Sequence, residues 1–263
     1  MGSRRRSAPT AIGVDLHDDG GHLAMVEPGR GTIVGLGTAP YPPGTVVGGD
    51  VRRPDLAGAA IQAVLDRVHW ATPPDVAVVV NPTAASGDRA RISTPVLGPW
   101  EMGQVAVAAE HVDRALATIG RTSARAGAVD CAPVAAARFL DQAEPGSTLR
   151  FVRGGSARVR WTMCWTPETV EIEVDDTPDE FAAQGGGIVV GASLSNLAAA
   201  QWGRLDRSRP VRRSMAAPER WTVAVGAAFG LVGHRPQIDL AGGDAVRTDI
   251  ELGGSGWGME AVR

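Results

Sequence analysis

The stretch TAIGVDLHDDGGHLAMV (Thr10–Val26) decides the fold. An apolar, β-rich run (Thr10–Leu16) is followed by Asp18-Asp19-Gly20-Gly21 and then by a second run (His22–Val26). Asp-Gly between two apolar runs is a strong short-range hairpin signal. Thr32–Gly37 offers a third strand, so a three-strand meander is predicted. Pro54-Asp55 then opens a helix, because proline suits the first helical turn. Its apolar residues Ile61, Val64, Leu65 and Val68 recur at helical spacing, while Gln62, Asp66 and Arg67 face away. Val76–Val80 is an unbroken apolar run, as expected of a strand covered on both faces. Meander, helix and buried strand together predict a mixed sheet in an α/β layer.

Downstream the pattern repeats. Gln104–Ala108 reads as a strand, His111–Ala126 as a helix with Val112, Ala115, Leu116 and Ile119 on one stripe, and Asp130 as the cap of a further helix through Leu140. Val159, Trp161, Met163 and Trp165 alternate with polar residues. After Thr166-Pro167, Val170, Ile172 and Val174 do the same. A hairpin with Trp161 opposite Ile172 and Arg160 opposite Glu173 matches apolar to apolar and cation to acid. Gly185–Gly187 interrupts the chain. Ile188–Ser193 and Leu197–Trp202 read as a strand pair, Trp221–Val232 as a packed helix, and the Gly-rich sequence from Ala241 onward as frayed.

Composition narrows the chemistry. The 263 residues are 44% hydrophobic and 21% charged, enough for one two-lobed globule or two small domains with real cores. The net charge of −3 gives no pull toward nucleic acid. The chain contains no lysine. That sets aside P-loop nucleotide hydrolases, protein kinases and pyridoxal phosphate enzymes, each of which needs one. Cys131 and Cys164 lack metal-ligand spacing and fit a reducing compartment. Ser193 or Cys164 as a hydrolase nucleophile lacks a neighbouring histidine or an elbow motif. Met1–Arg6 is basic, but no apolar signal core follows it. No apolar run reaches the roughly 18 residues of a membrane span. Trp100, after Gly98-Pro99, reads as a loop residue suited to a partner contact. The expected organisation is a disordered arm (1–9), an N-terminal subdomain (10–140), a second subdomain carrying the β-hairpin (141–240) and a flexible tail (241–263).

Several segments resemble the PilM branch of the actin-like ATPases. These are GVDL before a glycine-containing turn, APYPPGTVVGGDVRRPDL (Ala39–Leu56), the strand–helix–helix run Gln104–Leu140, the stretch Ile188–Arg209 ending in WGRLDRSRP, and WTVAVGAAFGLV (Trp221–Val232). The resemblance touches about half of the chain, in the family's order. It implies an actin-like (ribonuclease H-like) α/β fold of mixed sheets with flanking helices, reduced in size and with an added β-hairpin. It places Asp15, Asp18, Asp19 and Gly20 in a first phosphate hairpin, and Gly191 and Ser193 in a second, both vestigial.

The departures bear on mechanism. His17 stands where the family has a phosphate-cradling glycine, Ala24 where it has lysine, and Val189 where it has the aspartate that orients a metal-bound water. Between Arg213 and Trp221 too few residues remain for an adenosine lobe. The expectation is a non-catalytic cytoplasmic scaffold with no cofactor and no metal. Its implied partner is the cytosolic tail of a PilN-like inner-membrane protein, which would recruit it to the inner face of the membrane. The alternative is an ATPase binding ATP and Mg²⁺ through a metal site rebuilt from Asp15, Asp18 and Asp19, against the reading of those acids as turn formers. Ile238-Asp239-Leu240 faintly resembles the docking element of PilN-type tails; the competing reading is a plain connector.

Overall fold

Strand β1 (Ala11–His17) turns through Asp18-Asp19 into β2 (Gly20–Glu27), with Ala11 opposite Val26, Asp15 opposite His22 and His17 opposite Gly20. Gly20 takes a φ of 149°, and a Cβ there would lie 3.2 Å from the Ala39 carbonyl oxygen. Strand β3 (Thr32–Ala39) completes the predicted meander. This computed structural model describes residues 10–27, 32–68, 70, 72–82, 90–93, 96–97, 100–101, 105–143, 150–155, 160–165, 170–175, 189–190, 218–233, 239–242 and 246–248.

A small hairpin, β4 (Val46–Val47) and β5 (Asp50–Val51), turns through Gly48 and Gly49 at φ of 66° and 77°. Positive φ at both positions is what a tight primed turn demands. Helix α1 (Pro54–Leu65) starts on proline and buries Ala57, Ile61, Val64 and Leu65. It stops short of Val68, which is 37% exposed. The Leu65 carbonyl accepts from the Trp70 indole N–H (2.9 Å) and from Val68 N (3.0 Å), which closes the last turn.

Strand β6 (Asp75–Val80) lies parallel to β1, and Val76–Val80 are buried, as the apolar run predicted. Three short strands follow: β7 (Ala90–Ser93), β8 (Val96–Leu97) and β9 (Trp100–Glu101). Trp100 therefore sits in a strand, opposite Leu97, and not in an open loop. Strand β10 (Val105–Ala108) leads into α2 (Ala109–Ile119).

Here the sequence reading needs correction. The helix ends at Gly120, and residues expected to prolong it enter β11 (Arg125–Cys131), parallel to β6. Asp130 is a strand residue, not a helix cap. Pairing with a strand already buried outweighs the weak helix preference of an Arg-Ala-Gly-Ala stretch. The resulting sheet has the order β11-β6-β1-β2-β3, parallel on one side of β1 and antiparallel on the other. This is the mixed sheet in an α/β layer that the sequence predicts.

Helix α3 (Ala132–Ala143) leads to a second sheet of β12 (Arg150–Gly155), β13 (Arg160–Trp165), β14 (Val170–Asp175) and β15 (Val189–Val190). The hairpin at Arg160–Asp175 forms with a two-residue shift from the predicted register. Trp161 faces Val174, Arg160 faces Asp175, and the ladder closes at Trp165 opposite Val170. A shift of two keeps every face. Of the strand pair expected at Ile188–Trp202, only Val189–Val190 lies within the described residues, paired with β12. The tail is not wholly frayed: β16 (Val246–Thr248) pairs with β7. Among the described residues no helix is long and apolar enough to cross a membrane.

The closing helix, α4 (Thr222–Leu231), follows a 3-10 turn at Pro218–Trp221 and is buried from Thr222 to Phe229, as an all-round apolar helix must be. Its backbone approaches two neighbours without space for a side chain. A Cβ on Gly13 of β1 would sit 1.8 Å from the Ala224 carbonyl oxygen, and one on Gly226 would sit 1.8 Å from that of Ala135 in α3. Fully buried Arg138 donates through Nη1 to the Gly226 carbonyl (2.6 Å) and pairs with buried Asp130 (2.6 Å). Leu240, also buried, donates its N–H to the Val129 carbonyl (2.8 Å), while Asp239 Oδ1 accepts from Val129 N (3.0 Å). Asp239 and Leu240 thus occupy the edge of the sheet at β11; Ile238 lies outside the described residues.

Gly226→Ala is expected to cost about 3 kcal/mol or more, since backbone must move to admit the methyl group. Gly44→Ala, where a Cβ meets nothing and only a φ of 78° is at stake, should cost about 1 kcal/mol. Urea unfolding of both variants checks the ranking; equal losses would mean that the α3–α4 contact is not limiting.

Candidate functional site

The first hairpin gathers the titratable groups. Asp15 and His17 share one face of β1, and the register sets His22 opposite Asp15. His17 Nε2 lies 3.0 Å from Asp15 Oδ2. One ring nitrogen of each histidine and a carboxylate oxygen of Asp15 all fall within 4.8 Å of one another. Asp15 is 4% exposed and His22 3%, whereas the His17 side chain keeps 18%. The His22 ring lies 5.2 Å from that of His17 and 5.9 Å from Trp221, whose indole N–H donates to the Gly37 carbonyl (3.0 Å). His22 Nδ1 is buried with no hydrogen-bond partner. The Tyr41 hydroxyl donates to the His17 carbonyl.

Each group titrates according to its neighbours. Burial pushes the Asp15 carboxyl up, but the charge and hydrogen bond of His17, with His22 behind them, hold it below its ordinary value. Burial pulls His17 down, and Asp15 more than reverses this, helped by Asp19 and Asp18, so that it is raised to about 9. Burial, with the charges of His17 and Arg220, lowers His22 despite Asp15 and Asp19. Burial and the surrounding carboxylates push the Tyr41 phenol well above its usual value.

The remaining residues singled out in the sequence part company. Asp18 accepts from Gly49 N through Oδ1 and from Gly48 N through Oδ2, both at 3.0 Å. The β4–β5 turn carrying those amides is held from below by Asp50, whose carboxylate takes Arg114 Nη1 (2.7 and 2.9 Å) and Arg52 Nε (3.0 Å). Asp19 is exposed, with Arg220 Nη1 at 4.0 Å. Gly20 supplies the turn conformation, and Ala24 is buried. Gly191 and Ser193 lie outside the described residues. So Asp15, Asp18 and Asp19 do not converge on one point; Asp15 converges with two histidines. That constellation was missed because His17 was read only as a lost glycine and His22 only as a strand start. The signal was present: once Asp18-Asp19 is a two-residue turn, Asp15, His17 and His22 must share a face.

No family model matches the chain, and no curated protein does. Among solved structures it is similar to the PilM-PilN type IV pilus biogenesis complex, at 15% identity and a TM-score of 0.49, over 78% of this chain and 74% of that chain. The site is therefore read from its own residues.

A folded-state pKa raised above the unfolded value stabilises at low pH. The contribution of His17 is fully present below about 6.5 and is lost as pH rises through about 9. In EDTA, the urea midpoint of the native protein should fall between pH 6.5 and 9.5 by more than that of His17→Gln. Parallel profiles would show that the Asp15–His17 pair carries no such energy.

Proposed function

We propose that this chain is a non-catalytic adaptor of a type IV pilus-like or secretion machine, docking the cytosolic tail of an inner-membrane partner. One observation carries the non-catalytic half. An actin-like ATPase cradles phosphate on the backbone amides of the first hairpin's turn; here that turn carries Asp18, whose carboxylate reaches across to the Gly48 and Gly49 amides of the neighbouring turn, and the exposed Asp19. A phosphate arriving at this turn meets the carboxylates of Asp18 and Asp19. Two like unit charges 4 Å apart near a protein surface repel by about 4 kcal/mol. Buried Ala24, in place of a lysine, offers nothing to offset this. The adaptor half rests on the sequence segments that resemble the PilM branch, since tail docking does not require nucleotide.

Two measurements test the reading. Thermal unfolding with millimolar ATP and Mg²⁺ should show no stabilisation. A shift that grows with ligand as linkage requires, about 2.7 kcal/mol at a hundredfold excess over Kd, would favour a working ATPase and overturn the non-catalytic half. A synthetic peptide of the cytosolic start of a single-pass membrane protein encoded beside this chain should bind saturably by calorimetry. Absence of binding would overturn the adaptor half.

A further inference from the structure

We propose that Asp15, His17 and His22 bind a divalent transition-metal cation of the zinc class. The inference does not rest on the adaptor reading. Two imidazoles and one carboxylate form a donor set suited to Zn²⁺, Co²⁺, Ni²⁺ or Fe²⁺, whereas Mg²⁺ and Ca²⁺ favour all-oxygen shells. The spacing also fits. Ligands about 2.0–2.2 Å from a tetrahedral ion stand about 3.4 Å apart. His17 Nε2 and Asp15 Oδ2 are 3.0 Å apart, and all three donors lie within 4.8 Å, so small side-chain rotations close the triangle. The backbone beneath cannot drift, because β1 and β2 are paired through every residue from Ala11 to His17.

An independent feature points to a ligand. His22 is 3% exposed, and its Nδ1 has no hydrogen-bond partner. A buried polar atom left unsatisfied is uncommon and calls for an explanation such as an ion. An Asp15–His17 ion pair with a bystander histidine accounts for two of the three residues and leaves that atom unexplained. The surroundings suit a metal ligand shell. The Tyr41 hydroxyl holds the His17 carbonyl, and the Trp221 ring packs 5.9 Å from His22. Such outer contacts orient ligands and exclude water. The ion would gain three protein ligands, with a further position open beside His17, the most exposed of the three.

The test uses the full chain, untagged and stripped with EDTA. Titration with Co²⁺ alone should produce visible d–d bands that saturate at one ion per chain, and Zn²⁺ should abolish them. His17→Gln and His22→Gln should each weaken Zn²⁺ binding by more than the roughly 10–100-fold that loss of an outer-shell partner costs. His111→Gln, which alters a histidine beside Asp50 and Arg52, should bind as the native chain does. If His22→Gln does not fold by circular dichroism, the native chain and His17→Gln decide between them. No saturable Co²⁺ spectrum, or Zn²⁺ affinity unchanged in His17→Gln, would overturn the site. Mg²⁺ competing on equal terms would overturn the zinc-class assignment.

Discussion

Helix α4 lies against β1 and α3 with backbone touching backbone, and the rest of the fold depends on that contact. Gly13 and Gly226 are the two positions where any side chain would strike a carbonyl of the opposing element. Buried Arg138 seals the junction, binding Asp130 and the Gly226 carbonyl at once. Breaking one partner of a buried ion pair costs about 3–5 kcal/mol, because the other charge is left without compensation. Removing Arg138 would leave the Asp130 charge and the Gly226 carbonyl without this partner at the α4 junction. From that placement follows the position of Trp221 at the start of the helix, over the first hairpin and bonded to Gly37 of β3.

The hairpin beneath Trp221 handles its charges in three ways. Asp15 is buried and matched by His17. Asp18 is half-withdrawn onto the amides of the neighbouring Gly48-Gly49 turn. Asp19 stays in water, with Arg220 close by. Asp15 would be costly to bury without His17, whereas Asp19 in water needs no partner. Together these arrangements place two carboxylates at the tip and gather the side chains of Asp15, His17 and His22 on one face of the hairpin.

Much of the architecture was legible in local patterns. The Asp-Asp-Gly-Gly turn, the proline at the start of α1, the run Val76–Val80 and the all-apolar α4 each carry a signal that neighbours in sequence suffice to explain. The misreadings share a cause. The first residues of β11, Arg125 and Ala126, read as the end of a helix because small residues permit either state, and only a partner strand chooses. The Arg160–Asp175 hairpin kept its faces but shifted by two, since alternation records parity and not register. Strand β16 lies in glycine-rich sequence with no apolar pattern of its own, and it exists through pairing with β7.

For the site, the sequence by itself determined which residues face the same way: with a two-residue turn, Asp15, His17 and His22 share a side because strands alternate with period two. It also determined the absence of lysine and the excess of acid at the tip. Tertiary structure alone decided that this side is dry. Trp221, some two hundred residues away, reaches His22 only because α4 packs on Gly13, and Asp18 finds the Gly48 and Gly49 amides only because β4 and β5 fold beside the turn. Burial and hydrogen bonding are set by what packs from elsewhere in the chain, and no local pattern encodes that distance.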